Sequence, residues 1–357
     1  MNYIGSKLSL LTFLEESINK VVKNTKNKVF CDLFAGTGIV GTYFKRKGYK
    51  VIANDIQYYS YVLSRHYVGN HNEFSFSKLF QEFPELKNIE VKNRKNFVCD
   101  YLAKLKGEKG FIYNNYCSGG TINKAVERLY FSDENGMRCD AIRKKIEQWK
   151  VQGLINDNEY YFLLATVLES VDKYANTASV YGAFLKKLKK SALNSLVLKP
   201  AELIINDQDH LVYNEDINKV VEKIEGDILY LDPPYNHRQY ASNYHILETI
   251  AKYDNPKIHG KTGLREYENQ KSLYCSKSQV KKAFTDLILK SKVKYIFLSY
   301  NNEGLMSADD IKEVMSLRGQ YGVFTKEYNR FKADKSENRD FKAEKTTEYL
   351  HYVVCEK

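Results

Sequence analysis

Asp232-Pro233-Pro234-Tyr235 directly follows the apolar run DILYL at 227–231, and these residue types in this order can do chemistry on an amine. Proline fixes its own φ and forces the residue before it to be extended, so Asp232 and Pro233 are held rigid at the end of a strand. An exocyclic amine on a nucleobase is a poor nucleophile, because its lone pair is delocalised into the ring. Two acceptors, the Asp232 carboxylate and the Pro233 carbonyl, can bind both amine hydrogens and favour the pyramidal, nucleophilic nitrogen. Tyr235 adds a flat face on which a base can stack. The plain alternative is a strand-to-turn junction with a packing tyrosine.

A second constellation, Asp32-Leu-Phe34-Ala-Gly36-Thr-Gly38-Ile-Val-Gly41, stands where a strand turns into a helix. Glycines there let backbone approach a ligand, and the helix amino terminus offers free N–H groups. Gly36, Gly38 and Gly41 satisfy G-x-G-x-x-G, and Asp55 follows at the end of the next strand, placed for both hydroxyls of a ribose. The pattern alone does not separate NAD from S-adenosylmethionine. Asp32 begins to separate them, because a carboxylate suits a cationic group such as the α-ammonium of a methionyl tail and repels a pyrophosphate. A glycine turn that only packs helix on sheet is the structural alternative.

The elements that must position these groups are legible in outline. The apolar run 29–34, the helical spacing of 39–47 and the strand 50–56 form a βαβ unit, which predicts a parallel sheet and an α/β fold. From 70 to 200 the alternation stops, and helical spacing at 140–152, 158–173 and 179–190 reads as an inserted region. Alternation resumes with a strand at 211–214, a helix at 217–223 and the strand 227–231. Helices at 244–253 and 278–291 follow, then a strand at 295–300. Two β-rich runs, 321–328 and 348–355, close the chain as a candidate antiparallel hairpin.

Composition narrows the classes. The 357 residues carry a net charge of +11, with 43% hydrophobic residues and five prolines; such a chain buries a core and is not disordered. The charge is +6 over 1–69, +6 over 70–200 and −1 over 201–357. AT-rich codons can inflate lysine, but a genome-wide bias does not confine the excess to the first 200 residues, so a polyanion partner competes with an ordinary solvated face. Within 70–200, Lys186, Lys187, Lys189 and Lys190 form a basic cluster suited to phosphates. No apolar run nears the ~20 residues that span a bilayer, and the amino terminus lacks a secretory pattern. This reads as a cytoplasmic protein with no membrane role, its six cysteines reduced and packed. Neither the cysteines nor the seven histidines show metal-ligand spacing, so no metal is expected.

With Asn2-Tyr3-Ile4-Gly5-Ser6-Lys7, DLFAGTG at 32–38, Asn54-Asp55 and DPPY at 232–235 in this order, the chain resembles the Dam-like adenine-N6 DNA methyltransferases. The resemblance runs nearly end to end, the middle region matching in general character only. It implies a Rossmann-like S-adenosylmethionine-dependent methyltransferase sheet formed by 1–69 and 201–357, with a mostly helical target-recognition domain inserted at 70–200. It implies methyl transfer from S-adenosyl-L-methionine to N6 of an adenine flipped out of double-stranded DNA, at a specific site. The setting it implies is a prokaryotic cell, in or derived from a restriction–modification system, with a restriction endonuclease encoded nearby. Asp232, Pro233, Pro234 and Tyr235 become the catalytic residues. Tyr3, Lys7, Asp32, Phe34, Gly36, Gly38, Asp55 and Asp216 become the cofactor site, Lys7 pairing with the methionyl carboxylate and Asp216 taking the adenine amino group.

In the polar loop after DPPY, Arg238 is placed to grip a phosphate or read a guanine edge; His237 and His245 are equally well read as hydrogen-bonded structural residues. The aromatic segment 111–120 is a candidate to enter a groove or fill the gap left by the flipped base. Cytosine-N4 or RNA-adenine methylation, a nicotinamide-dependent oxidoreductase and a non-catalytic DNA-binding protein are the competing functions.

Overall fold

The computed structural model describes residues 3–23, 28–329 and 345–356. Among them nine strands occur: β1 Val29–Asp32, β2 Lys50–Asn54, β3 Leu211–Tyr213, β4 Ile228–Leu231, β5 Ile258–His259, β6 Leu264–Arg265, β7 Tyr295–Asn301, β8 Gly319–Asn329 and β9 Lys345–Cys355. The chain divides into two compact units. One comprises Ile4–Ser64, Asn206–Ala241 and Tyr267–Lys357; the other comprises Met1–Tyr3, Arg65–Ile205 and Ser242–Glu266.

The first of these units is built on a seven-stranded sheet of order β3-β2-β1-β4-β7-β9-β8. Five strands, β3, β2, β1, β4 and β7, are parallel, and β9 runs antiparallel between β7 and β8. This is a mixed α/β, mostly parallel sheet. The closing hairpin expected from two β-rich runs is present, with Gly319–Asn329 paired to Lys345–Cys355.

Burial explains the strands. All four residues of β4 and all seven of β7 are buried, as near-continuous apolar runs must be when helices cover both faces of a parallel sheet. On one face Leu33, Leu229, Leu231, Ile296, Leu298 and Val353 pack with Phe284, Leu287 and Ile288 of the helix Val280–Lys290. That i, i+3, i+4 spacing puts the three side chains on one helix face. Truncating Leu287 to Ala would cost about 2–5 kcal/mol. On the other face Phe30 stacks on Phe44 at 4.0 Å and lies 6.0 Å from Tyr230.

The other unit carries the long helices Asp133–Val151 and Asp157–Tyr174 and the two-stranded β5–β6 hairpin. Ser132 caps the first helix by accepting from Asn135 N–H, and Asn156 with Glu159 forms a capping box on the second. Both helices begin earlier than their periodicity suggests, because the cap and first turn are polar. Buried charges tie this unit together. Asp140 accepts from the backbone N–H groups of Gly110, Ile112 and Tyr113 and from the Tyr253 hydroxyl. Arg143 donates to the Ile250 and Ala251 carbonyls.

One expectation is corrected here. Residues 179–190 are not a helix: the described helix at that end is the short Lys190–Leu193. The Asn176 side chain donates to the Leu129 and Lys187 carbonyls and accepts from Lys189 N–H. It thereby takes up backbone groups that a helix would have paired internally. In the aromatic segment 111–120, Ile112, Tyr113, Tyr116 and Cys117 are buried and the Tyr116 hydroxyl donates to the Gly263 carbonyl, while Asn114 and Gly119 are exposed.

Candidate active site

In an open α/β sheet, ligands bind beyond the carboxyl ends of the strands, where the strand order reverses. Here the order runs from β1 outward through β2 to β3 on one side and from β4 to β7 on the other, so the reversal lies between β1 and β4. Asp32 ends β1 and sits opposite Tyr230 of β4, and Asp232 follows β4. The glycine-rich loop and the DPPY corner therefore emerge side by side from adjacent parallel strands.

The loop geometry follows from glycine. Gly38 is left-handed at φ 74° as it enters the helix Ile39–Arg46, a conformation costly for other residues. Asp55 closes the loop, accepting from Gly36 N–H and Gln57 N–H at 2.8 Å each. Asn54, quoted above only as part of a motif, is the clamp. It is buried, donates to the Leu33 and Glu215 carbonyls and accepts from Glu215 N–H. This ties the end of β1 to the segment carrying Asp216. Asp216 caps the helix Ile217–Lys223 by accepting from Asn218 N–H. Phe34 lies edge-on to Tyr274 at 5.0 Å.

Asp32 is buried and accepts from Gly41 N–H in the first turn of the following helix. Burial pushes its carboxyl up to about 7; the Gly41 N–H opposes the rise, and the charges of Asp232 and Asp55 add to it.

At the DPPY corner the decisive contact comes from the amino-terminal segment. Lys7 is 4% exposed, and its Nζ lies 3.1 Å from Asp232 Oδ1 and 2.7 Å from Glu348 Oε1. Burial works against the Lys7 charge, but Asp232 and Glu348 together raise its pKa well above the ordinary lysine value. Burial pushes Asp232 up to about 6, with Lys7 opposing the rise and Glu348 adding to it. Lys7 therefore reaches the Asp232 carboxylate, a neighbour the sequence reading had not given it.

Gly5 makes this approach possible. Its φ is +78°, and a Cβ there would stand 3.1 Å from the Tyr240 hydroxyl and 3.9 Å from that of Tyr235. Tyr240 in turn donates to the Ile4 carbonyl at 3.3 Å. Tyr235 lies edge-on to Tyr300, and its carbonyl accepts from Leu305 N–H at 3.1 Å. Its ring is thus braced on one edge.

The structure gathers Lys7, Asp32, Phe34, Gly36, Gly38, Asp55, Asp216 and 232–235 in the sheet-bearing unit. Arg238 is exposed in the same unit; the loop holding it is pinned by Gln239, which donates to the Ser272 carbonyl and accepts from Ser272 N–H. Tyr3 belongs to the other unit and stacks on Tyr244 at 4.5 Å. Lys186, Lys187, Lys189 and Lys190 are exposed there. His245 is structural, buried between the Ser242 and Thr262 carbonyls. Glu348 and Ser299 carry no signal in the sequence, since a lone glutamate or serine in a β-rich run forms no motif.

Among the described residues no group of histidine, cysteine and acidic side chains is arranged to hold a metal ion, and no helix is long and apolar enough to cross a membrane.

A glycine loop and a DPPY corner on neighbouring strands of this sheet define a methyltransferase. The class is narrowed by comparison: residues 3–314 match the family described as D12 class N6 adenine-specific DNA methyltransferase, and the chain belongs to that family. It is 53% identical over 354 residues to the type II methyltransferase M.NlaIII of Neisseria lactamica, covering 99% of both chains. It is 41% identical to the type II methyltransferase M.FokI of Planomicrobium okeanokoites, over 99% of this chain and 52% of that one. With the type II methyltransferase M.CviAII of Paramecium bursaria Chlorella virus 1 it shares 35% identity, over 100% of this chain and 99% of the other. No solved structure matches the chain.

Proposed function

We propose that this adenine-specific DNA methyltransferase transfers the methyl group of S-adenosyl-L-methionine to N6 of an adenine rotated out of double-stranded DNA. The observation that carries the reading is the emergence of DLFAGTG and DPPY from adjacent parallel strands at the reversal point of the sheet. The acidic character of the site favours this cofactor over a dinucleotide. Asp32, Asp55, Asp216 and Asp232 all follow or end strands at that edge, and they suit a sulfonium and an α-ammonium while repelling a pyrophosphate. Asp55 follows β2 beside the glycine loop, in reach of ribose hydroxyls in this reading, and Asp216 lies on the segment clamped by Asn54.

When bound, S-adenosyl-L-methionine supplies an electrophilic methyl group. The chain supplies the rest. Asp232 and the Pro233 carbonyl accept the two amine hydrogens and turn the nitrogen lone pair toward that methyl group, so catalysis is chiefly positioning for in-line attack. The methylated ammonium is acidic, and Asp232 can take its proton. Tyr235, braced by Tyr300, offers its face to the extracted base, which leaves the stack at a cost of a few kcal/mol. Lys7 orients Asp232 in this reading instead of carrying the methionyl carboxylate.

The unit holding Arg65–Ile205 is assigned to target recognition, with Lys186, Lys187, Lys189 and Lys190 on phosphates and Arg238 at the edge of the base pocket. Because M.NlaIII and M.FokI are named type II methyltransferases, we assign the chain to a restriction–modification setting in a prokaryotic cell, beside an endonuclease of the same specificity.

The test is expression in a host lacking adenine methylation, with modified positions mapped across its genome. N6-methyladenine at one short recognition sequence is expected, and its loss in Asp232→Ala with S-adenosyl-L-methionine binding retained. Methylation by Asp232→Ala near the parent level would overturn the assignment.

A further inference from the structure

Glu348 is 1% exposed and belongs to β9, two strands away from the strand that ends at the DPPY corner. Burying a carboxylate so completely is costly unless it is paired and hydrogen-bonded, and its partners lead straight to Asp232. Its Oε1 receives Lys7 Nζ at 2.7 Å and the Ser299 hydroxyl. Leu231 pairs with Leu298, so the next positions on β4 and β7 bring Ser299 beside Asp232. Ser299 pairs in turn with Leu350 of β9, two residues from Glu348. Three neighbouring strands thus contribute Asp232, Ser299 and Glu348, and Lys7 bridges the outer two.

Resting on the function proposed above, we propose that Glu348 is a positioning residue for methyl transfer: it holds Lys7 so that the ammonium is shared between two carboxylates and Asp232 stays a strong acceptor for the target amine.

The reason is the sharing of one cation between two carboxylates. With Asp232 as its only anionic neighbour, Lys7 would close a two-member ion pair, spread over both carboxylate oxygens and neutralise the acceptor that must hold the amine. Glu348 takes the closer contact, at 2.7 Å against 3.1 Å. The ammonium is thus shared, and it meets Asp232 at Oδ1 by the longer of its two contacts. The second negative charge also offsets the lysine, so Asp232 remains a stronger acceptor than it would be beside a lone ammonium.

The groups facing Asp232 are Lys7, Glu348 from β9, Asp32 from β1, Tyr230 from β4 and Tyr235. Those near Glu348 also include Lys326, opposite it on β8, and His351 on its own strand. Among the groups acting on Asp232, Glu348 raises its pKa and Lys7 lowers it. Loss of the Glu348 charge therefore moves the acid limb of the rate profile down, a change that mere loosening of the fold does not produce.

The experiment compares the full chain with Glu348→Gln, Ser299→Ala and Asp232→Ala, measuring kcat, the KM for S-adenosyl-L-methionine and for DNA, and the pH dependence of kcat. Glu348→Gln is expected to lower kcat by about tenfold or more, with both KM values within about twofold. Its acid limb should shift down by about half a pH unit or more. Ser299→Ala keeps both charges and loosens only the brace, so a smaller fall in kcat with unchanged KM is expected, and it decides the matter if Glu348→Gln does not fold. If Asp232→Ala stays active, the site assignment itself falls and the role of Glu348 with it. If Asp232→Ala is inactive, two results remove only the role of Glu348. One is a folded Glu348→Gln whose kcat or acid limb equals the parent's. The other, where Glu348→Gln does not fold, is a Ser299→Ala with unchanged kcat.

Discussion

The ammonium of Lys7 lies 3.1 Å from a carboxylate oxygen of Asp232. The amino-terminal motif and the DPPY corner, at opposite ends of the motif order, are therefore one charged cluster, closed on its far side by Glu348. A buried lysine between two buried carboxylates fixes the direction in which each titrates, and that makes the site open to test by pH.

The rate of methyl transfer should fall as pH drops through about 6, because burial raises the Asp232 carboxyl to that value and the protonated acid is a weaker acceptor for the amine and cannot take its proton. Lys7 lowers the Asp232 pKa, so Lys7→Gln should move the acid limb to higher pH, opposite to the shift expected for Glu348→Gln. Removing the cation from between two carboxylates should also cost about 3–5 kcal/mol of stability. Rate profiles of parent and variant in a series of buffers check this, and an acid limb that stays in place or moves down contradicts it.

Asp32→Asn should stabilise the fold above neutrality while weakening cofactor binding. The Asp32 carboxyl is raised to about 7 in the folded chain, so the folded state holds its proton more tightly than the unfolded state does. That contribution is complete below the unfolded value near 4 and disappears as pH rises through about 7. Asparagine can still accept from Gly41 N–H and carries no charge to desolvate. The melting temperature of the variant relative to the parent should climb between pH 5 and pH 8, by about 2–4 °C for each kcal/mol. A difference that is flat across that range is the contrary outcome.

Tyr235→Ala should reduce capture of the target base far more than Tyr235→Phe. Base–aromatic stacking is worth about 1–3 kcal/mol, and phenylalanine keeps the ring and its edge contact with Tyr300. Fluorescence of 2-aminopurine at the target position reports extrusion directly; equal losses in the two variants would count against stacking.

Replacing Lys186 and Lys187 by glutamine should weaken DNA binding at every sequence alike and leave the methylated motif unchanged. If both contact phosphates, the slope of log affinity against log salt becomes shallower by about one unit for each. An unaltered slope would show that these exposed lysines form a solvated face only.

Much of this protein is legible in its sequence wherever the physics is local. Proline geometry makes Asp232 and Pro233 a rigid pair at a strand end, and glycine spacing marks the turn after β1. Unbroken apolar runs define β4 and β7, and the βαβ alternation predicts the parallel sheet. Local signals also mislead: residues 179–190 have helical spacing, yet one buried asparagine, Asn176, claims their backbone groups. Residues 242–266, a few positions after DPPY in the chain, group with the helical unit.

What the tertiary structure alone decides is which distant side chains share a charge. Glu348 reaches Lys7 because β9 runs antiparallel between β7 and β8 and in that register. A shift of one residue would turn Glu348 to the opposite face of the sheet. Strand order and register are set by the packing of the whole sheet, and no spacing within a single segment encodes them. The sequence therefore determines the DPPY corner and the fold class, while the ion cluster of Lys7, Asp232 and Glu348 exists only once the sheet has closed around it.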